Sequence, residues 1–159
     1  MSKYTGYNLA DIRDLETLLA ALAECGYAEG KVEVHATPQL LYDWQGRSTQ
    51  YLDGTNPDRA EVIIRRRNTG LGASNDIGFQ KQQDGSYRAI VSQYDQSLQI
   101  KRVPFVDAVK NAYAKLNCDK TVQQVLANTV KLKLRGLIPQ HATLVKQETA
   151  DEIKFSVRY

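Results

Sequence analysis

Three successive segments in the middle of the chain constrain the fold most, because each is built like a short β-strand. The first contains three consecutive β-branched residues, and the other two mix β-branched and aromatic residues, which favour strands. The dipeptide Asp84-Gly85 before the last segment is a strong signal for a tight β-hairpin turn. The pattern predicts an antiparallel meander of three strands at residues 60–67 (AEVIIRRR), 76–82 (DIGFQKQ) and 86–95 (SYRAIVSQYD).

Helical periodicity marks three other segments. Asp14 is a suitable N-cap for a helix that ends near Gly26, and Pro104 suits the start of a second helix. A strand remains an alternative for residues 130–136 (VKLKLRG), because apolar and basic residues alternate strictly there. The predicted helices span residues 15–25, with Leu15, Leu18 and Leu22 on one face, residues 104–116, with Phe105, Val109 and Tyr113 on one face, and residues 119–135.

The remaining apolar segments complete an α+β fold. Residues 31–36 and 40–44 predict one interrupted strand or two short ones, and residues 45–59 predict a long exposed loop. Residues 142–148 and 152–159 predict a closing β-hairpin with a turn at residues 149–151. We therefore expect an N-terminal helix, an antiparallel β-meander, two helices and a C-terminal β-hairpin, forming one sheet with the helices on one face. Without repeats or linkers, residues 1–159 are predicted to be a single domain.

The length of the chain and the distribution of its apolar residues limit the class of protein to which it can belong. A chain of 159 residues can bury roughly 70% of its unfolded surface, so a core needs no disulfide or structural metal. We find no run of about 18 apolar residues and no basic region followed by an apolar run at the N-terminus. The sequence predicts no membrane span and a cytoplasmic protein, or its equivalent in the plastid stroma.

Residues that carry catalysis or bind metals occur singly. His35 and His141 are isolated, Cys25 falls at a predicted helix end and Cys118 at a predicted junction between helices. No serine-nucleophile, phosphate-loop or zinc-ligand spacing is found, and the turn Gly70-Leu71-Gly72 precedes a strand rather than a helix. We predict that the protein is not an enzyme and binds neither cofactor nor metal, and that this turn is a hairpin loop.

Basic residues are concentrated in the middle of the chain. Residues 61–140 hold 13 Lys and Arg against 6 Asp and Glu, although the net charge of the whole chain is only +3. If residues 60–67 are one strand, Arg65 and Arg67 project from the same side. An ordinary solvated surface is the alternative to a polyanion site. The candidate nucleic-acid-binding residues are Arg65, Arg67, Arg88, Tyr94, Lys131, Lys133 and Arg135.

The central strands also carry a family resemblance. The stretches RAEVIIRR (59–66), NDIGF (75–79) and DGSYRAIVSQYD (84–95) resemble a family of small proteins of unknown function encoded in cyanobacterial genomes and red-algal plastid genomes. Weaker similarity covers residues 12–26, the pair Ala112-Tyr113 and the C-terminal Val157-Arg158-Tyr159, whereas the loop 68–74 and the predicted third helix are longer than in that family. The resemblance implies a fold and a compartment and assigns no catalytic residue.

The DIGF residues are interpreted as scaffold. Gly78 suits a bulge or a place where a helix packs closely on the sheet, and Asp76 can accept hydrogen bonds from the loop it closes.

Two functions follow as expectations. The first is a non-catalytic protein-binding or assembly module whose partner is another protein or a complex. The second is an RNA- or DNA-binding module that uses the basic surface of residues 61–140. The second is favoured if Arg65, Arg67, Arg88 and Tyr94 share one open face of the sheet, and disfavoured if that face is covered.

Overall fold

A computed structural model describes residues 4–50, 52–70, 74–149 and 152–159. The chain divides into two compact units, an N-terminal unit (Met1–Leu116) and a C-terminal unit (Asn117–Tyr159). The described residues form a mixed α+β structure with two α-helices and a mostly antiparallel arrangement of strands. The single-domain expectation stays a prediction. No helix within the described ranges has the length and apolar character needed to cross a membrane.

Five antiparallel strands form the main sheet of the N-terminal unit. The predicted meander is confirmed as three neighbouring strands, Arg59–Ile64, Ile77–Lys81 and Tyr87–Ser92. Val32–Leu40 form one edge strand with a register shift between Val34 and Gln39, and the predicted strand residues 41–44 do not belong to it. A further pair of two-residue strands precedes the second helix. The strands of the main sheet, in the order β1-β5-β4-β3-β2, are β1 (Tyr4–Leu9), β2 (Val32–Leu40), β3 (Arg59–Ile64), β4 (Ile77–Lys81) and β5 (Tyr87–Ser92), and the short pair is β6 (Gln99–Ile100) and β7 (Val103–Pro104).

The first element is a strand, not the predicted helix. β1 pairs antiparallel with β5 along its whole length, from Tyr4 opposite Ser92 to Leu9 opposite Tyr87. Its sequence, YTGYNL, contains Gly6 and Asn8, which are poor strand formers, so local propensity does not reveal it. The pairing with a distant strand stabilises it.

The helices begin where the sequence predicts, but the described residues form two α-helices rather than three. Helix α1 (Leu15–Glu24) is capped by the Asp14 carboxylate, which accepts a hydrogen bond from Thr17 N over 2.9 Å, and is followed by Gly26 at φ +97°. Helix α2 runs unbroken from Phe105 to Leu134 because that segment contains neither glycine nor proline. The prediction of two separate helices was wrong, Cys118 lies within α2, and residues 130–134 are helical rather than extended.

Both helices cover the same face of the main sheet, as predicted. Leu18 and Leu22 of α1 and Val109 of α2 are completely buried. Phe105 packs edge-on against Tyr27, with ring centroids 5.7 Å apart, and lies near Phe79 of β4 at 6.3 Å. They share this core with the sheet residues Val62, Ile64, Ile77, Ala89 and Val91.

The C-terminal unit contains the last part of α2 and the predicted closing hairpin. Strands β8 (Thr143–Glu148) and β9 (Ile153–Arg158) pair antiparallel, from Thr143 opposite Arg158 to Glu148 opposite Ile153. Among the described strands they pair only with each other, so the expectation of one sheet was wrong. Residues 150 and 151 of the predicted turn, and Leu71 and Gly72 of the predicted hairpin loop, lie outside the described residues.

Candidate functional site

The end of β3 forms a small charged cleft. The strand stops at Ile64, Arg65 remains extended, and Arg66–Asn68 form a single 3-10 turn. The cleft has a volume of about 200 Å³ and is called here the arginine cleft; its lining residues are Glu33, Arg65, Arg66, Arg67 and Asp76.

Asp76, the residue before β4, organises one wall of the arginine cleft. Its carboxylate is completely buried, and Oδ2 accepts hydrogen bonds from Arg65 Nη1 over 2.8 Å and from Tyr42 N over 3.0 Å. Oδ1 accepts from Arg66 N over 2.8 Å. A buried carboxylate requires such partners. The sequence predicted hydrogen bonds from the loop that Asp76 closes; Arg66 N donates from that β3–β4 connection, whereas Tyr42 N donates from the segment after β2.

Arg65 links Asp76 to the edge strand β2. Its Nε donates to Glu33 Oε2 over 2.8 Å and its Nη1 to the carbonyl of Leu40 over 3.0 Å, while its guanidinium lies 5.7 Å from the centre of the Tyr42 ring. Burial acts to raise the pKa of Glu33, but hydrogen bonds from His35 and Arg65 outweigh burial, so the net pKa lies below its ordinary value. The guanidinium of Arg65 is therefore engaged in hydrogen bonds and ion pairs within the protein.

Arg66 and Arg67 differ from Arg65, because among the described residues their guanidinium groups have no hydrogen-bond or ion-pair partner. Arg66 is half-buried and lies close to Gly46, where an added Cβ would be 3.3 Å from Arg66 Nη2. Arg67 is exposed. The arginine cleft thus contains two arginines without an ion-pair partner among the described residues, Arg66 and Arg67, beside the ion pairs that Arg65 forms with Glu33 and Asp76. Arg66 and Arg67 are called uncommitted below.

A tight turn next to the cleft displays the chain's single tryptophan. Trp44 is 55% exposed, and its backbone N donates to Asn75 Oδ1 over 2.8 Å. The buried Asp43 carboxylate accepts from the backbone N of Gln45 and Arg47, each over 2.9 Å. Burial acts to raise the pKa of Asp43, yet these hydrogen bonds and those of the Arg47 side chain lower it overall. Trp44 was not among the predicted site residues, although a lone tryptophan in a polar turn is a visible signal in the sequence.

A model of the family described as "Protein of unknown function (DUF1257)" matches residues 21–133. The chain belongs to the DUF1257 family. No curated protein and no solved structure matches it. The DUF1257 match includes all five lining residues of the arginine cleft, whereas the β8–β9 hairpin follows the matched region.

In this DUF1257 chain the predicted nucleic-acid-binding residues are distributed over several elements of the two units. Arg65 and Arg67 both line the arginine cleft, but the argument from strand alternation was wrong because β3 ends before Arg65. Arg88 lies on β5 opposite Gln80, and its Nε is buried without a partner among the described residues. The other candidates are the 64% exposed Tyr94, and Lys131, Lys133 and Arg135 in the C-terminal unit.

The sheet between Arg65 and Arg88 is covered. Arg88 lies on the face opposite the helices, where Ile63, Gly78 and Ile90 are adjacent across three strands, and Arg65 follows the end of β3. Ile63 and Ile90 are completely buried there with Leu41, a residue of the loop after β2. The buried cluster of Ile63, Ile90 and Leu41 therefore interrupts the open basic face that would have favoured nucleic-acid binding. The nucleic-acid role of these residues stays a prediction.

A second group of buried polar residues lies beyond the end of β5. Asp95 Oδ2 accepts hydrogen bonds from Ser92 Oγ and from Asn75 N, the latter over 3.3 Å. Asp95 Oδ1 and Asn75 Nδ2 are buried without partners within the described part of the chain. Burial raises the pKa of Asp95. Asp95 also lines a cavity of about 220 Å³ together with Asn8, Phe105 and Lys110.

The C-terminal unit of the DUF1257 chain exposes much of its apolar surface. Leu126, Val130 and Leu134 are spaced four residues apart on α2, so they form a ridge along one side of the helix, called here the apolar ridge. Their exposed fractions are 48%, 55% and 79%. Ala142 is the only buried hydrophobic residue among those described in this unit. Further exposed apolar residues of the unit are Leu132, Leu137, Val157 and Tyr159.

Proposed function

We propose that this DUF1257 protein is a non-catalytic protein-docking module and that the apolar ridge is its docking surface. The observation that carries the proposal is the exposure of Leu126, Val130 and Leu134 in a unit that buries almost no apolar side chain of its own. Large exposed apolar patches are typical of interaction sites, and covering apolar surface contributes about 25 cal/mol per Å². A helix with anchors at this spacing is a common way to bind a partner.

The charges beside the apolar ridge indicate the chemistry of the partner. Lys131, Lys133 and Arg135 are interleaved with and follow the ridge residues at the end of α2. A second copy of the chain would bring the same cations to the interface, and their repulsion opposes self-association. We therefore commit to a different protein that carries an acidic amphipathic segment, whose apolar side covers the ridge and whose carboxylates meet these cations.

The test uses the full chain as bait in native lysate treated with nuclease. We expect capture of a protein that contains an acidic amphipathic segment, and a synthetic peptide of that segment should bind the purified chain. The variant Leu126→Gln/Val130→Gln/Leu134→Gln should lose both interactions, because glutamine preserves helix propensity while removing the apolar anchors. The matched control is Gln124→Ala/Asn128→Ala, on exposed positions of the same helix, and should bind like the wild type.

Equal capture by the ridge variant and the wild type would overturn the proposal. So would loss of the captured protein on nuclease treatment, because a nucleic acid would then bridge the two proteins. The purified chain could instead form a dimer that the three ridge substitutions disrupt. That result would show that the ridge binds a second copy of the chain and not an acidic partner.

Nucleic-acid binding is the second candidate function. Exposed Trp44, on a turn anchored to Asn75, and the uncommitted Arg66 and Arg67 beside Asp76 offer a stacking surface and phosphate contacts. A gel-shift titration with mixed RNA and DNA at two salt concentrations tests it. Retardation that weakens steeply with salt supports this candidate. No retardation at micromolar protein in low salt removes it.

We propose the cytoplasm or the plastid stroma as the compartment. The support is the resemblance of the central strands to proteins encoded in cyanobacterial and red-algal plastid genomes. Fractionation of cells that express the tagged chain tests it; recovery with the membranes after a high-salt wash would contradict it.

A further inference from the structure

We propose that the arginine cleft binds a single phosphate group of a small molecule, either inorganic phosphate or a phosphomonoester, through the guanidinium groups of Arg66 and Arg67. This inference is independent of the docking function, because it rests on residues of the N-terminal unit alone.

The charge balance of the cleft favours an anion. Glu33 and Asp76 bring two negative charges, and Arg65, Arg66 and Arg67 bring three positive ones. Both carboxylates are engaged with Arg65, and Asp76 has both oxygens occupied by N–H donors from Tyr42, Arg65 and Arg66. The carboxylates are therefore satisfied within the protein, and the surplus positive charge lies on Arg66 and Arg67.

The backbone of Arg66 is anchored at the cleft in the absence of a ligand. Its backbone N–H is bonded to Asp76 Oδ1 over 2.8 Å, which fixes the position of the residue. Its guanidinium lies against Gly46, which has φ +82° and no Cβ to obstruct it. A group that is already ordered loses less entropy on binding. Arg67 follows in the same 3-10 turn and supplies the second cation.

The ligand class follows from the donors and the volume. A planar guanidinium matches phosphate oxygens with paired hydrogen bonds, and two of them suit a dianion better than a singly charged carboxylate. The volume of about 200 Å³ is below the roughly 300–1,000 Å³ typical of sites for drug-sized ligands. A single phosphate group with a small substituent fits this space.

The test titrates the purified full chain with inorganic phosphate, phenyl phosphate, acetate and a single-stranded DNA decamer at low ionic strength. Calorimetry measures affinity, and NMR of the arginine Nε–Hε groups reports which side chains respond. We expect saturable binding of inorganic phosphate or phenyl phosphate, with acetate weaker by at least about tenfold. Tighter binding of phenyl phosphate indicates a phosphomonoester, and equal binding indicates free phosphate.

Variants with matched charge separate a site from general attraction. Arg66→Ala/Arg67→Ala should weaken phosphate binding by at least about tenfold, and Arg66→Lys/Arg67→Lys should also weaken it, because lysine keeps the charge and loses the paired donors. The control Arg102→Ala/Arg158→Ala removes the same charge at exposed arginines outside the cleft and should bind within twofold of the wild type. Circular dichroism checks that each variant is folded, and the lysine variant provides the comparison if the alanine variant is not.

Three results would overturn the inference. The first is a linear, non-saturating response to both phosphate probes. The second is an equal loss of binding in the cleft variants and the charge-matched control. The third is binding of the DNA decamer with at least about a hundredfold higher affinity than phenyl phosphate, since this would indicate a polyanion surface.

Discussion

Asp76 Oδ2 and Arg65 Nη1 are 2.8 Å apart, and the carboxylate of this pair is completely buried while the arginine side chain keeps 18% of its exposure. Removing one partner of such a pair leaves an uncompensated buried charge. Asp76→Ala would also leave the backbone N–H groups of Tyr42 and Arg66 without their acceptor. We expect it to lower the free energy of unfolding by about 3 to 5 kcal/mol in urea denaturation.

An exposed ion pair is the control for this prediction. Lys154 and Glu152 are 3.1 Å apart, with both side chains at least 60% exposed. Lys154→Ala should change the free energy of unfolding by less than about 1 kcal/mol, because water screens the pair. Similar losses in both variants would contradict a structural role for the Asp76–Arg65 pair.

Gly78 is closely covered, and adding a methyl group there should destabilise the fold. A Cβ at this position would lie 2.7 Å from Ala60 Cβ and 2.8 Å from Leu41 Cδ1. Gly78→Ala is expected to cost about 1 to 3 kcal/mol through overpacking. Combining it with Leu41→Ala, which opens space, should cost less than the sum of the single variants in a double-mutant cycle. Additive effects would show that the two residues do not compete for space.

The helical stripes that cover the main sheet should contribute strongly to stability. Leu18→Ala and Val109→Ala, both at completely buried positions, should each cost about 2 to 4 kcal/mol through lost burial and a cavity. Leu134→Ala is the matched control at a position that is 79% exposed and should cost no more than about 0.5 kcal/mol. Thermal and urea unfolding measure all three. A change below about half a kcal/mol at both core sites would mean that these stripes are exposed in solution.

Asp95 should make stability decrease with rising pH. Burial raises the pKa of its carboxyl group in the folded state above the ordinary value of 3.8. Between the unfolded and folded pKa values the folded state binds more protons, so the free energy of unfolding falls as pH rises through this window. Asp95→Asn removes this contribution from the variant, so the difference in the free energy of unfolding between wild type and variant should change across this pH window. An unchanged difference across the window would show that Asp95 titrates normally.

Local signals predicted much of the fold, and long-range pairing explains what they missed. Asp84-Gly85 determines its hairpin through neighbouring residues, and the apolar stripes around Leu18 and Val109 are likewise visible in a short window. Strand β1 depends on β5, which is 78 to 88 residues away along the register, and Gly6 and Asn8 weaken its local strand signal. In α2, Asp119 resembled the start of a new helix, although no glycine or proline breaks the segment.

The candidate site was less predictable because it depends on where β3 ends. Strand alternation predicted that Arg65 and Arg67 project from one side of a continuing strand. In the structure the chain enters a 3-10 turn after Arg65, where Asp76 accepts hydrogen bonds from the Arg65 side chain and from Arg66 N. Glu33 reaches the same place from an edge strand 32 residues earlier. The sequence identified the basic residues, whereas the uncommitted state of Arg66 became visible only from the packing.

The contact at Gly78 has a consequence for how sequences of this family can diverge. Ala60 and Leu41 fill the space where a side chain at position 78 would lie. A relative that carries alanine or serine at position 78 should therefore carry a smaller residue at position 41 or glycine at position 60. Substitutions at these three positions are expected to be inherited as compatible sets, so they would form a correlated group in an alignment even though position 41 belongs to a loop.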